Sequence, residues 1–420
     1  MFDVIIVGAG AAGLTAAYRL AGRFTQLNIL VIEKEGIPGR KLSAAGNGKC
    51  NLTNAYFKTD CYDSKEDTFI KDWIAENSYE DVVSFFEKNG ILLYQNKGYY
   101  YPISNQGKQV TNLLYQRSTV RGVKYVFNQK VTALHRMHSN NKSFYKIDVT
   151  DENQKSTSFE AKYLILATGG AASPKLGGCK DGYALASMLK LKQNPIYPVL
   201  SPVYVADSFL HFAKGVRLDA TVTLRGKKDF CLKESGQVQI NENSLSGIVM
   251  MNLSTHINKW RQEELNECLN IDVLPEITWN ELKEVFIQQK KRNPEESLAM
   301  MLSGILPNAF GSYLINKLRF DKKISMGDLT EKRMNRLTSS IKKLVFTPTG
   351  FPDYDKAQAT GGGVSTQEVN VHTFESIRYK HLYITGELLD INGKCGGYNL
   401  TFAILSGITA ADHIADTMCM

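Results

Sequence analysis

Read for its apolar and polar positions, the chain opens on a β-branched run, Phe2 to Val7, with no polar residue after Asp3, which predicts a strand buried on both faces. An alanine- and leucine-rich segment, Leu14 to Leu20, predicts a helix, and Asn28 to Ile32 predicts a second buried strand. Ser78 to Asp81 reads as a capping box opening a helix with apolar positions at Val82, Val83, Phe85 and Phe86, which Gly90 is placed to end. From Val123 to Val149 the pattern changes to strands, with Ser139-Asn140-Asn141 as hairpin punctuation. Tyr163 to Leu166 is a further buried run. Val216 to Leu224 alternates as a strand, and short strands are expected on to about Ser254. Thr278 to Leu344 has helical periodicity with many charges. Near the end, Leu382 to Glu387 reads as a strand closing on an acid, Asn392 to Leu400 as a glycine-rich loop, and Thr401 to Ile414 as a helix.

The first strand runs directly into Gly8-Ala9-Gly10-Ala11-Ala12-Gly13, which satisfies G-x-G-x-x-G, and the second strand ends at Glu33, 20 positions beyond Gly13. Each part of this unit has a physical task in holding a dinucleotide. Gly8 permits the tight turn, Gly10 lets the backbone approach a diphosphate, and Gly13 lets the helix pack closely on the strand. The helix opening at Ala11 and Ala12 offers unpaired N–H groups and the positive end of its dipole to phosphate. Glu33 can accept hydrogen bonds from ribose hydroxyls. The unit by itself does not choose between FAD and NAD.

Between Lys34 and Asn54 the segment is dense in glycine, asparagine and basic residues, a poor helix or strand but a good ligand-lining loop. Lys34, Arg40 and Lys41 are candidate phosphate or ribose contacts. The backbone through Asn47, Gly48, Cys50 and Asn51 is expected to run along the cofactor. Tyr163 to Leu166 leads into Ala167-Thr168-Gly169-Gly170, small residues that allow the chain to come close to a nucleotide.

Several blocks in order, GRKLSAAGNGKCNLTN, ATGGAASPKLGGCKDGYALA, ATGGGVSTQEVNVHTFESI and LYITGELLDINGKCGGYNLTFAILSG, resemble bacterial three-domain flavoproteins that include aminoacetone oxidases and 3-dehydro-bile-acid Δ4,6-reductases. The resemblance covers nearly the whole chain. It implies an α/β glutathione-reductase-type FAD-binding Rossmann-like fold, discontinuous over residues 1–189 and 346–420. The insert it implies is β-rich and barrel-like over 190–277, closed by part of 335–350, and helical over 278–345, lying over the flavin. Pro195, Pro198 and Pro202 mark its start. The resemblance further implies that Val131 passes the adenine with its backbone and that Ala167, Thr168 and Gly169 line the cofactor. Gly386 and Glu387 are implied at the ribityl-phosphate arm, and Gly397, Tyr398, Asn399 and Leu400 at the isoalloxazine. Two departures stand out: Tyr99 occupies a position where the family usually has a basic residue, and SGQVQINENSLSG lacks the family's Phe-Thr stretch.

Composition narrows the picture further. With 43% hydrophobic and 22% charged residues the chain should fold nearly throughout. Its formal charge of +8 comes from dispersed basic residues, so no nucleic-acid partner is expected. No apolar run approaches the ~20 residues that cross a bilayer, which implies a soluble, cytoplasmic protein without a membrane partner. Seven cysteines without a C-x-x-C pair suggest neither a zinc site nor a disulfide framework, and the histidines, His135 and His138 included, show no metal spacing. NGKC occurs twice, ending at Cys50 and Cys395, which raises a thiol redox pair as a candidate. No second G-x-G-x-x-G follows residue 13, so no separate NAD(P)H domain is expected, although NAD(P)H docking transiently at the flavin is compatible. The expected function is a flavoenzyme moving hydride between FAD and a small organic substrate, of the ene-reductase type. An oxygen-using amine oxidase and a non-catalytic flavin redox sensor are the alternatives. No catalytic acid, base or oligomeric state is specified.

Overall fold

Burial explains why the first apolar runs do not alternate: Val4 to Val7 and Ile29 to Ile32 lie in the interior of a sheet, covered on both faces. The structure is a computed structural model describing residues 1–24, 26–139, 142–226, 230–262, 268–350 and 352–419. The chain divides into two compact units, Met1–Pro198 with Gln358–Met420, and Val199–Ala357.

In the first unit the main sheet runs, in spatial order, Lys124–Val126, Ile29–Ile32, Phe2–Val7, Ser156–Leu166, Lys142–Asp151 and Gln129–Ser139. Leu382–Ile384 joins it from the far end of the chain, pairing in parallel with Leu164 to Leu166. The pairings of Phe2–Val7 with both its neighbours are also parallel, as the intervening crossovers require. Lys142–Asp151 and Gln129–Ser139 form the expected hairpin, whose turn residues Asn140 and Asn141 lie outside the described residues. Helix Ala11–Arg23 packs on the C-terminal helix Tyr398–Cys419 with backbones nearly touching, since a Cβ on Gly407 would stand 2.4 Å from the Ala12 carbonyl oxygen. Arg19 and Asp412 (2.7 Å) and Arg23 and Asp416 (2.5 Å) pair across the same seam, but at the surface such pairs add little to that packing. The Ser78–Asp81 box caps Tyr79–Lys88 as expected.

Three expectations are corrected. Residues 190–198 do not open the insert: strand Gln193–Val199 pairs with Ala359–Val364, and the second unit begins at Val199. Pro195 and Pro198 are tolerated because this is a two-stranded ribbon with no inner strand to supply with N–H donors. Ile248 to Ser254 is not strand but the start of helix Ile248–Gln262. Buried Val249, Met250, Leu253 and Ile257 show the helical spacing, which the Ile-Val pair had masked. The C-terminal helix begins at Tyr398 rather than Thr401.

The second unit holds a six-stranded sheet ordered Val203–Tyr204, Ser244–Ser246, Cys231–Ile240, Arg217–Arg225, Cys268–Asp272, Leu344–Phe346. Helices Trp279–Arg292, Leu298–Ser303, Asn308–Lys317 and Glu331–Lys342 share one apolar core with it, built on Val222, Leu224, Leu269, Phe286, Phe310 and Leu337. Buried Asp207 accepts from the Tyr313 hydroxyl (2.8 Å) and pairs with Lys317, tying the loop before the sheet's second strand to a helix. No helix among the described residues is long and apolar enough to cross a membrane.

Candidate flavin site

The glycines of the first turn divide by what stands before them. Gly8, at φ +101°, donates its N–H to the Ile32 carbonyl (2.8 Å), and a Cβ there would meet the Ala167 carbonyl oxygen at 2.4 Å. A Cβ on Gly13 would lie 1.9 Å from the Gly8 carbonyl oxygen. These two are packing glycines. Gly10, which begins the helix with no side-chain cap, faces open space: a Cβ there meets nothing within 4 Å. Gly48 and Gly169 face open space in the same way. Ala12 is buried under Gly386, whose Cβ would come within 3.2 Å of the alanine methyl, while Ala11 stays partly exposed at the helix mouth.

Glu33 sits beneath this turn. One carboxylate oxygen accepts the Ala9 N–H (2.7 Å) and the other the Glu35 N–H (2.9 Å), so the side chain braces the loop and retains lone pairs for a ribose. Burial raises its pKa above the ordinary carboxylate range, and the two N–H donors pull it part of the way back. Gln129 donates its N–H to the Glu33 carbonyl (3.0 Å), which brings the strand carrying buried Val131 beside the same acid.

The basic residues of the next segment are each paired within the protein. Arg40 pairs with Glu35 and donates to the Lys175 carbonyl (2.7 Å). Lys41 meets Glu387 at 2.6 Å, and the other oxygen of Glu387 accepts the Thr360 N–H at 2.8 Å. Lys34 is half-buried, 3.8 Å from Glu35, with the Cys179 thiol as a further partner. The segment is also less irregular than expected, since Arg40–Ala44 forms a short helix anchored by buried Leu42.

Asn47 and Cys50 hold left-handed backbone (φ +55° and +62°) in the turn that follows, and the Gly48 carbonyl accepts the Gly107 N–H at 2.7 Å. The Asn51 carboxamide oxygen is buried without a partner and lies 3.1 Å from the Cβ position of Gly397. The Thr168 hydroxyl, after Ala167 at the end of the central strand, is likewise buried without a partner. From the C-terminal side, Gly386 donates its N–H to Ser406 (3.0 Å), and Thr401 reaches Thr53 at 2.9 Å. The side chains of Tyr398 and Asn399 are engaged within the protein. Asn399 commits both ends of its carboxamide to Gly393, at 2.8 Å each. The Tyr398 ring is buried against Tyr62, and its hydroxyl donates to the Tyr56 carbonyl at 2.8 Å. Both side chains thus hold the loop's shape, leaving Gly397, Leu400 and the backbone as the ligand-facing candidates of that stretch. Thr360 was missed by sequence reading, although Ala359 to Gly362 repeats the ATGG of Ala167 to Gly170 and signals a second close approach.

Cys50 is buried and Cys395 partly so, and burial pushes both NGKC thiols up to about 12. Iodoacetamide at pH 8 is expected to label exposed Cys231 and Cys419 at least about 100-fold faster than Cys50 or Cys395, read peptide by peptide in a mass spectrometer. Equal rates would show that the native thiols are not protected. Among the described residues no cluster of His, Cys, Asp or Glu is arranged to hold a metal.

Room for a Cβ at Gly10, Gly48 and Gly169, the uncapped helix N-terminus at Gly10 and the Glu33 carboxylate beneath the same turn fit FAD. Fold and site together define an FAD-dependent oxidoreductase of the Rossmann type. The chain belongs to the HI0933-like protein Rossmann domain family, which it matches over residues 2–413. It is 31% identical to a 3-dehydro-bile acid Δ(4,6)-reductase from Clostridium scindens, over 98% of each chain. It is 29% identical to a ribosomal RNA dihydrouridine synthase from Haemophilus influenzae, again over 98% of each. Its fold resembles 3-ketosteroid Δ1-dehydrogenase from Sterolibacterium denitrificans, with TM-score 0.53, 13% identity and 99% of both chains covered.

Proposed function

We propose that this enzyme reduces a carbon–carbon double bond conjugated to a carbonyl, using FAD that NADH or NADPH reduces in turn. A chemistry shared by two differently named relatives carries the reading. A Δ(4,6)-reductase of 3-dehydro-bile acids saturates a double bond conjugated to a 3-ketone. A dihydrouridine synthase saturates the double bond of uracil, which is conjugated to a ring carbonyl. Each reaction asks for hydride at the β-carbon and a proton at the α-carbon, on a small planar ring.

When bound, FAD supplies the hydride chemistry, and the chain's part is to hold, orient and dry it. In this reading the N–H groups of Gly10, Ala11 and Ala12 take the diphosphate, Glu33 the ribose and the Val131 backbone the adenine. Gly48, Asn51 and Ala167 to Gly169 flank the cofactor. Gly386 and Glu387 meet the ribityl-phosphate arm, with Lys41 paired to Glu387 at 2.6 Å. Gly397 and Leu400 meet the ring, where the N-terminus of Tyr398–Cys419 favours negative charge on the reduced cofactor.

A steroid-like ketone is the first substrate class, a uracil base in RNA the second. The ribosomal RNA relative favours keeping the second, against the expectation of no nucleic-acid partner. Anaerobic protein reduced by NADH or NADPH is expected to be re-oxidised by a 3-oxo-4,6-diene steroid or by a uridine-containing ribosomal RNA transcript, with two hydrogens gained in the product. Re-oxidation by neither, with peroxide formed from aminoacetone and oxygen instead, would replace this reading with the amine-oxidase one.

A further inference from the structure

Strand Tyr99–Pro102 carries three tyrosines in a row, and the ring of the first, Tyr99, lies against the loop placed at the flavin ring. The Tyr100 ring packs on Tyr79 (5.6 Å between centroids), and Tyr101 stacks on Tyr94 (5.7 Å). Tyr99 pairs through its backbone with Asn54, and the edge of its ring lies 3.0 Å from where a Cβ on Gly396 would stand. Only a glycine at 396 lets the ring come so near. Asn54 fixes the other side of this contact, donating from its carboxamide to the Gly396 carbonyl (3.2 Å).

Four other proton-bearing side chains beside this loop, Tyr62, Tyr398, Cys61 and Cys395, are hydrogen-bonded or shifted by burial. Tyr62 donates to the Tyr398 carbonyl (3.2 Å) and Tyr398 to the Tyr56 carbonyl (2.8 Å), with burial pushing both phenols up. Burial likewise raises the thiols of Cys61 and Cys395. The Tyr99 hydroxyl, by contrast, has no hydrogen-bond partner among the described residues and is not sealed from solvent, on a residue that is only half-buried. A phenol keeps its proton at neutral pH and can give it up in a transition state.

We propose that Tyr99 is the proton donor of this site, an inference that rests on the double-bond-reduction reading and on the placement of Gly396 and Gly397 at the flavin ring. The β-carbon receives hydride, two electrons and one proton, from the reduced cofactor. The α-carbon takes the phenolic proton: the Tyr99 O–H bond breaks as the α-carbon C–H bond forms, and the phenolate regains a proton from water. The double bond is reduced and the cofactor oxidised.

Tyr99→Phe removes only the hydroxyl and keeps the ring against Gly396. FAD content and dithionite reduction are expected to match the parent, and calorimetric affinity for a saturated ketone should change by less than about 3-fold. Re-oxidation of the reduced protein by a 3-oxo-4,6-diene steroid, cyclohexenone or a uridine-containing ribosomal RNA transcript should slow by about 100- to 10,000-fold. Tyr101→Phe serves as the control and should stay within about 2-fold of the parent. Re-oxidation of Tyr99→Phe at the parental rate overturns the inference alone. So does a fall in ketone affinity as large as the fall in rate, which would make Tyr99 a carbonyl-holding group. A parent protein that none of the three alkenes re-oxidises overturns the double-bond reading and this inference together.

Discussion

Gly10→Val is expected to fold and to remain colourless. Gly10 has φ −79° and ψ −166°, extended backbone that any residue adopts, and an added Cβ meets no protein atom within 4 Å. The protein therefore has little reason to object to the change. Losing glycine at a helix N-cap for a β-branched residue costs about 1 kcal/mol at most. The ligand has every reason to object, because the isopropyl group would occupy the space in front of the helix N-terminus where a diphosphate must approach the N–H groups. Affinity for FAD should fall by at least about 1000-fold, equivalent to about 4 kcal/mol. Visible flavin absorbance per chain after equilibration with excess FAD, beside an unchanged circular-dichroism melt, is the measurement. Stoichiometric yellow protein would remove the phosphate from this turn.

How far the sequence reaches depends on whether an element's own residues decide its structure. The first strand, the glycine turn, the following helix and Glu33 were legible because each is specified locally and in register with the next. The capping box at Ser78 was legible for the same reason. What escaped is set by partners far away in the chain. The pairing of Arg40 with Glu35 and of Lys41 with Glu387, the latter 346 positions distant, is not visible in the loop's own residues. Asn399 looks like a flavin contact, but a side chain that can hydrogen-bond backbone six residues back does so when the loop brings Gly393 under it. Ile248 to Ser254 misled because β-branched residues open a helix whose apolar stripe is completed only at Ile257. The open hydroxyl of Tyr99 could not be read from its three-tyrosine run at all, since the strands paired on either side decide which ring faces the loop.

Gly13→Ala makes the complementary case, in which helix propensity and packing give opposite answers. Alanine is favoured over glycine within a helix by about 1 kcal/mol, so propensity alone forecasts a more stable protein. Packing forecasts the reverse, because the new methyl would stand 1.9 Å from the Gly8 carbonyl oxygen and 3.3 Å from Ile6 Cγ2. Gly8 cannot withdraw: its N–H is bonded to Ile32, and the space where its own Cβ would be lies 2.4 Å from the Ala167 carbonyl. The helix must lift from the strand instead. That movement pulls Ala12 away from Gly386 and Gly407, opening the seam where the two ends of the chain close on one another. A loss of about 3 to 5 kcal/mol in the nucleotide-binding unit is expected, in the range of severe overpacking. Because the strain is in the protein and not against a ligand, it should appear in the urea midpoint of the FAD-free protein, where Gly10→Val should show almost nothing. An FAD-free Gly13→Ala protein as stable as its parent would mean that the turn is free to relax, and that the close approach of helix to strand does not set the position of the phosphate-facing N–H groups.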